Sequence, residues 1–234
     1  MKWRSLEEAT PKAGVRSLQE IYAERKELIA KYVPGEIQAI HARVIEELKK
    51  SGAAERALQT GSKAPAFELS DHNGKIVRSS DLLKKGLLVI CFIRGRWCPF
   101  CVGQMEAINT IYSEIQKSGG SLVAVSPQTV HQSSLMADQH KLRFPLLSDA
   151  QSNTARQFGL AYRVPEYQQE IYKRVFVNLP FVNGDDSWEL PIPATYVLTG
   201  DGIIRYSSVN PDYTDRPEPD DIAGFLAQGS IPSS

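Results

Sequence analysis

The sequence predicts an α/β protein, a central mixed β-sheet flanked by helices, with an N-terminal helical extension. Three observations carry that prediction. From about residue 61 onward, short apolar runs bounded by turn residues alternate with segments of helical periodicity, the pattern of a sheet covered on both faces. Leu87 to Ile93 is an unbroken apolar run, as a strand buried on both sides requires. Residues 1–60 carry helical periodicity alone, so the chain divides into an N-terminal helical arm (1–60) and a domain over 61–234. A length of 234 residues suits one domain of ordinary size plus such an extension.

In the arm, Leu18, Ile21, Tyr22, Leu28, Ile29 and Tyr32 recur at steps of three and four residues. After the Pro34-Gly35 break, Ile37, Ile40, Val44, Ile45 and Leu48 do the same. A helical hairpin with one apolar stripe per helix is expected, its stripes serving either to pack on the domain or to form a homodimer. Gly61 to Pro65 marks the boundary. Ala66–Leu69 and Lys75–Val77 then flank an Asp71-His72-Asn73-Gly74 turn, the signature of a hairpin. The strand at Leu87–Ile93 leads into a helix running through Met105, Ile108, Ile111 and Ile115 to Gly119-Gly120. Beyond it the patterns predict a strand at Ser121–Val125, a helix near Thr129–Lys141, a strand at Phe144–Leu147 and a helix near Ser152–Phe158. An amphipathic segment over Pro165–Val175 precedes an irregular polar loop, Asn178–Glu189. Strands at Pro193–Leu198 and Ile203–Ser207, joined by the Gly200-Asp201-Gly202 turn, and a helix at Pro217–Ala227 complete the chain.

Composition narrows the function. With 42% hydrophobic and 23% charged residues the chain is of globular type. Its 27 basic and 27 acidic residues balance, which gives no electrostatic reason to expect nucleic acid or an anionic membrane as partner. Acids stand at Glu7 and Glu8, where a signal peptide needs an apolar core, and no apolar run approaches about eighteen residues, so a cytoplasmic protein is expected. Three cysteines in a chain of this length do not make a disulfide framework.

Two of them, Cys98 and Cys101, are delivered by a short basic loop to the first turn of a helix. Unpaired backbone N–H groups and the helix dipole favour negative charge there, and Arg94 and Arg96 lie just upstream. Such surroundings bring a thiol from about 8.5 to as low as about 3.5–7.5. The cysteine nearer the helix start usually meets solvent, which favours Cys98 as the attacking thiol. Trp97 adjoins it and would shape access. Cys91, in mid-strand, reads as an inert buried thiol. With no second CxxC, and with His41, His72, His131 and His140 at no ligand spacing, neither a metal nor a cofactor is expected. Asp185, Asp186 and Glu189 read as solvated loop charge; Tyr213, Thr214 and Arg216 either line the edge of the site or serve in turns and caps.

The strand-loop-Trp97-Cys98-x-x-Cys101-helix unit resembles the thioredoxin motif, and Ile192-Pro193-Ala194-Thr195 resembles the cis-proline segment of the thioredoxin-like fold. Over residues 62–228 the chain is similar to the peroxiredoxin-like branch of the alkyl hydroperoxide reductase/thiol-specific antioxidant family. The stretches Arg94-Gly-Arg-Trp-Cys-Pro-Phe-Cys101, Asn183-Gly-Asp-Asp-Ser-Trp-Glu-Leu190 and Asp212-Tyr-Thr-Asp-Arg-Pro-Glu-Pro219 carry that resemblance. The family's Pro-x-x-x-Thr/Ser-x-x-Cys motif, laid on this strand, puts Cys101 at the peroxide-attacking position, Cys98 at the Thr and Arg94 at the Pro. The family's later arginine falls on Pro193. Arg94 or Arg96 could replace that charge.

The resemblance implies a thiol-based antioxidant enzyme that reduces hydrogen peroxide or organic hydroperoxides through the Cys98/Cys101 pair, recycled by thioredoxin or a similar dithiol. The residues present also suit protein disulfide exchange, with Pro193 beside the disulfide, and a redox sensor acting through the arm. Peroxide and disulfide substrates thus both stand as expectations.

Overall fold

A computed structural model describes residues 16–228. The arm comprises α1 (Leu18–Tyr32), α2 (Gly35–Lys50) and a single turn, α3 (Ala53–Arg56). Ser17 starts α1 with a capping box: its hydroxyl accepts from the Glu20 N–H, and the Glu20 carboxylate accepts from the Ser17 N–H. Then follow β1 (Glu68–Asp71), β2 (Ile76–Arg78), α4 (Ser79–Leu83), β3 (Leu88–Phe92), α5 (Pro99–Thr110), α6 (Tyr112–Lys117), β4 (Ser121–Ser126) and α7 (Val130–Gln139). The chain continues through β5 (Leu146–Ser148), α8 (Asn153–Gln157), β6 (Ala161–Arg163), α9 (Glu166–Arg174) and α10 (Leu179–Asn183). Last come β7 (Glu189–Pro191), β8 (Ala194–Leu198), β9 (Ile204–Val209) and α11 (Pro219–Gln228).

Seven strands form one mixed sheet in the order β2-β1-β5-β4-β3-β8-β9. The central strand β3 runs parallel to β4 and antiparallel to β8. Every residue of β3 is buried, and alternation sorts them between two cores. Val89 and Cys91 face the cluster that holds Cys98, Cys101, Met105 and Ile108 of α5. Leu88, Ile90 and Phe92 face the other, with Phe158, Leu160 and Tyr196. The CxxC helix therefore lies on one face of the sheet, directly against its central strand.

The arm lies on that domain. Leu18 and Tyr22 bury in the α5 cluster, and the Tyr22 hydroxyl donates to the Phe100 carbonyl. Close approach requires Gly103: a Cβ there would stand 2.8 Å from Arg25 Nη1 and 3.2 Å from Tyr22 Cε1. At its far end the arm enters the second core through Ala53 and Ala57, and the Leu58 N–H donates to the Phe158 carbonyl. The predicted stripes are only partly covered, since Leu28 and Tyr32 near the hairpin tip remain 49% and 60% exposed. Among the described residues no helix is long and apolar enough to cross a membrane.

Three elements depart from the sequence pattern. The helix expected to run unbroken to Gly119 breaks at Ile111 (φ −90°, ψ 1°), giving α5 and α6. The stretch expected to be an irregular loop contains α10 and, at its end, the start of β7, which pairs with β6 in a separate two-stranded sheet. Both strands span three residues, too few for a legible period-two pattern, and only their long-range pairing defines them. Finally, the described residues contain no cis peptide bond, so the cis geometry implied for Pro193 is absent.

Gly159 joins arm and domain at φ +72°, where a Cβ would meet the Arg56 carbonyl oxygen at 2.4 Å. Gly159→Ala is expected to destabilise the protein by about 1–3 kcal/mol. Urea denaturation checks this, and an unchanged midpoint would contradict the close approach.

Candidate active site

The site begins where β3 ends. Gly95 takes φ +138°, and a Cβ there would sit 2.9 Å from Trp97 Nε1. This turn is closed by the Cys98 N–H donating to the Gly95 carbonyl (3.1 Å). Cys98 becomes the N-cap of α5, Pro99 its first residue, and Cys101 lies in its first turn. Proline suits that position because its missing N–H would have had no helical partner. The positive end of the helix thus points toward both sulfurs.

Neither sulfur meets solvent: Cys98 is 1% exposed and Cys101 0%. The expectation that Cys98 is the accessible thiol is corrected by this, because α1, Trp97 and the aromatic residues around Arg94 cover the start of α5. The two thiols are also electrostatically unequal. For Cys101, burial is the largest single influence and opposes ionisation. It is outweighed by a hydrogen bond from the Cys98 thiol, the charges of Arg216 and Arg94, and the Arg94 backbone N–H, which together bring it down to about 5. Burial pushes Cys98 well up, reinforced by its hydrogen bond to Cys101 and by the negative charge there. The surroundings thus favour negative charge on Cys101 over Cys98. Burial likewise raises Cys91 to about 12, in keeping with an inert thiol.

Arg94 is 2% exposed and binds in two ways. Its backbone N–H donates to Cys101 Sγ (3.4 Å), while its guanidinium donates to the Tyr172 hydroxyl and lies 4.8 Å from the Trp97 ring and 3.9 Å from that of Tyr213. Trp97 in turn packs edge-on against Tyr172, centroids 5.2 Å apart. Arg96 turns elsewhere: its guanidinium donates to Gln132 of α7 and its backbone N–H to Gln128. Pro193 is buried at the entry to β8, and its carbonyl accepts from the Asn210 N–H (3.4 Å). The loop acids serve locally. Asp185 accepts from the Ser187 N–H, and Glu189 pairs with Arg156 at 2.7 Å.

The charge nearest Cys101 comes from a residue the sequence left at the margin. Arg216, 4% exposed, points Nη2 at Cys101 Sγ (3.8 Å), and its Nε donates to Gln104 Oε1 (3.1 Å). Gln104 passes the contact on to the Thr195 hydroxyl (3.1 Å). Thr214 has the turn role, donating to Asp212 Oδ1 (2.7 Å). Tyr172 and His41 also belong to the surroundings of Arg94, and no motif marked them. The available signal for Arg216 was topological: β9 pairs with β8, β8 with β3, and the segment leaving β9 must pass the end of the sheet where Cys101 lies.

Titration of the thiolate ultraviolet absorbance is expected to give a midpoint at about pH 5 for Cys101, against an ordinary 9.0. Above that midpoint the thiolate prevails; below it the thiol protonates. Arg216→Met withdraws an opposite charge and should raise the midpoint by about 1 unit or more. A midpoint that stays put would remove Arg216 from the electrostatics of the sulfur.

Comparison with known proteins bears on the family and the fold. The AhpC/TSA family profile matches residues 60–207. The thiol-disulfide oxidoreductase ResA of Geobacillus thermodenitrificans is 32% identical over 108 residues, 44% of this chain and 59% of that protein. The chloroplastic peroxiredoxin Q of Sedum lineare is 30% identical over 145 residues, covering 62% of this chain and 66% of its own. The chain thus spans less than two thirds of either relative. The crystal structure of peroxidoxin BcpB from Mycobacterium tuberculosis superposes with a TM-score of 0.59 over 74% of this chain and 99% of its own, at 23% identity, a likeness of fold. A thioredoxin-like sheet, a cysteine at the start of α5 and a family match across the sheet lead to one assignment: this chain belongs to the AhpC/TSA family and is a thiol-dependent oxidoreductase of the peroxiredoxin-like kind.

Proposed function

We propose that this protein reduces hydrogen peroxide or organic hydroperoxides with Cys101 as the attacking thiolate and Cys98 as the resolving thiol. The observation that carries the reading is the convergence of the Arg94 backbone N–H (3.4 Å) and Arg216 Nη2 (3.8 Å) on Cys101 Sγ, which favours the thiolate there and leaves Cys98 as the protonated partner. The thiolate attacks one peroxide oxygen; an S–O bond forms, the O–O bond breaks, and the departing alkoxide or hydroxide takes a proton. Cys101 is then a sulfenic acid. With its negative charge gone, two of the influences that raise Cys98 disappear, and Cys98 ionises more readily. It attacks the Cys101 sulfur, the disulfide forms and water leaves. An external dithiol of thioredoxin type would return the two electrons by thiol-disulfide exchange. We place this cycle in the cytoplasm, where such reductants keep thiols reduced.

Disulfide exchange is the second reading, supported by the likeness to a thiol-disulfide oxidoreductase and by the CxxC itself. Burial favours the first. A peroxide reaches a sulfur through a small opening, whereas a protein disulfide needs the covering residues displaced, and both sulfurs are at most 1% exposed. A sensing role requires the same oxidation and differs in slow turnover and in a conformational change passed to the arm.

Stopped-flow fluorescence of Trp97 in the reduced protein separates these readings. Peroxide is expected to react far faster than a model disulfide; the reverse order would establish exchange. Cys101→Ser should abolish the reaction with peroxide. In Cys98→Ser a single oxidation to sulfenic acid should persist, trapped by dimedone, while steady turnover is lost. A Cys101→Ser variant that still oxidises at the parent rate would overturn the assignment of roles.

A further inference from the structure

The family match ends at residue 207, before Arg216, and begins at residue 60, after α1 and α2. The buried guanidinium beside Cys101 is therefore supplied from outside the matched region, and so is what holds it. Arg216 lies in a nine-residue segment, 210–218, between β9 and α11. Within it, the side chains of Asn210 and Asp212 hold the turn by bonding to Asp212, Thr214 and Asp215. Gln104 of α5, Gln168 of α9 and the Pro193 carbonyl tie it to the domain, and a second set of long-range anchors lies on the arm. Glu218 grips the N-terminus of α1, its carboxylate accepting from the Leu18 N–H (2.9 Å) and the Gln19 N–H (2.8 Å). These are helix donors with no partner inside the helix, and their positive end suits a carboxylate. Gln19 Nε2 donates to the Arg216 carbonyl itself (2.7 Å). From α2, His41 Nδ1 meets the Tyr213 hydroxyl at 2.8 Å and also accepts from Gln168 Nε2 at 3.1 Å. The Tyr213 ring covers the Arg94 guanidinium at 3.9 Å.

We propose that the N-terminal arm is a working part of the active site: Gln19 and His41 are positioning residues that hold segment 210–218 so that Arg216 faces the Cys101 sulfur. The inference rests on the reading of Cys101 as the attacking thiolate. In this chain Arg216 sets its charge beside the Cys101 sulfur from a segment held in part by the arm helices. The arm contributes structure on its own account through Leu18 and Tyr22, so the test must separate positioning from folding.

Gln19 is exposed and His41 half-buried, so Gln19→Ala and His41→Phe spare the arm's buried apolar contacts. Thiolate absorbance of Cys101, titrated in the full chain, is the readout, and it requires no peroxide activity. Each variant is expected to raise the midpoint, and the pair together by about 1 unit, the size of a withdrawn opposite charge. In an Arg216→Met background the same substitutions should add nothing, because the residue they position is gone. Glu218→Gln, which keeps the acceptor oxygen and removes the charge, should fall between parent and double variant. Three results would overturn the proposal: an unmoved midpoint in the double variant, an equal shift with and without Arg216, or a shift that merely follows a lowered melting temperature in proportion. If the midpoints shift as expected while Cys101→Ser still oxidises with peroxide at the parent rate, the catalytic reading fails and the positioning stands, leaving the two failures distinguishable.

Discussion

An ionised sulfur with no access to water is unfavourable, and the Cys101 thiolate exists only because several donors converge on it. The Cys98 thiol, the Arg94 backbone N–H and the Arg216 guanidinium all address one atom. Hydrogen bonds to charged groups are worth about 1.5–3 kcal/mol each, so no single one offsets full burial and the set acts as a unit. Every nearby structural feature serves to bring those donors together. Burial of β3 fixes the strand, Gly95 turns the chain back, and Pro99 starts the helix at the residue where Cys98 must sit.

The same constraint explains the aromatic surroundings of Arg94. Its guanidinium is itself buried and must be compensated, which Tyr172 does by accepting a hydrogen bond and Trp97 and Tyr213 by presenting ring faces. Desolvated cation–π contacts are worth about 2 kcal/mol or more, and among the described residues no carboxylate pairs with Arg94. That absence matters chemically. An acid beside Arg94 would neutralise the field that Cys101 needs, whereas aromatic faces leave it intact. Arg96, bound instead to Gln132, shows that proximity in sequence to a CxxC does not place a charge at the sulfur.

The asymmetry between the two cysteines bears on how one family covers both peroxide reduction and disulfide exchange. A helix start with two thiols supports either chemistry, and the choice lies in which sulfur carries the negative charge and what can reach it. Here the donors converge on the inner cysteine and favour negative charge there. Covering it with α1 and with the segment before α11 restricts entry and also supplies Arg216, so shielding and activation come from the same elements.

Much of this molecule was legible in its residues. The apolar run of β3, the helix opening at the cysteines, the helical hairpin broken at Pro34-Gly35 and the late strand pair are local patterns, and local patterns depend on side-chain periodicity and turn chemistry that the chain carries with it. The two cysteines of the candidate site were legible for the same reason, as two thiols on one helical turn. What the residues alone could not determine was everything that depends on approach between distant segments. Tertiary packing buried Cys98, turned Arg96 away and brought Arg216 across 115 positions to Cys101. It also paired the three-residue strands β6 and β7, which have no pattern of their own. A thiol's ionisation is set by the sum of burial and field at one point in space, and that sum is defined only once the fold has decided which charges share the point.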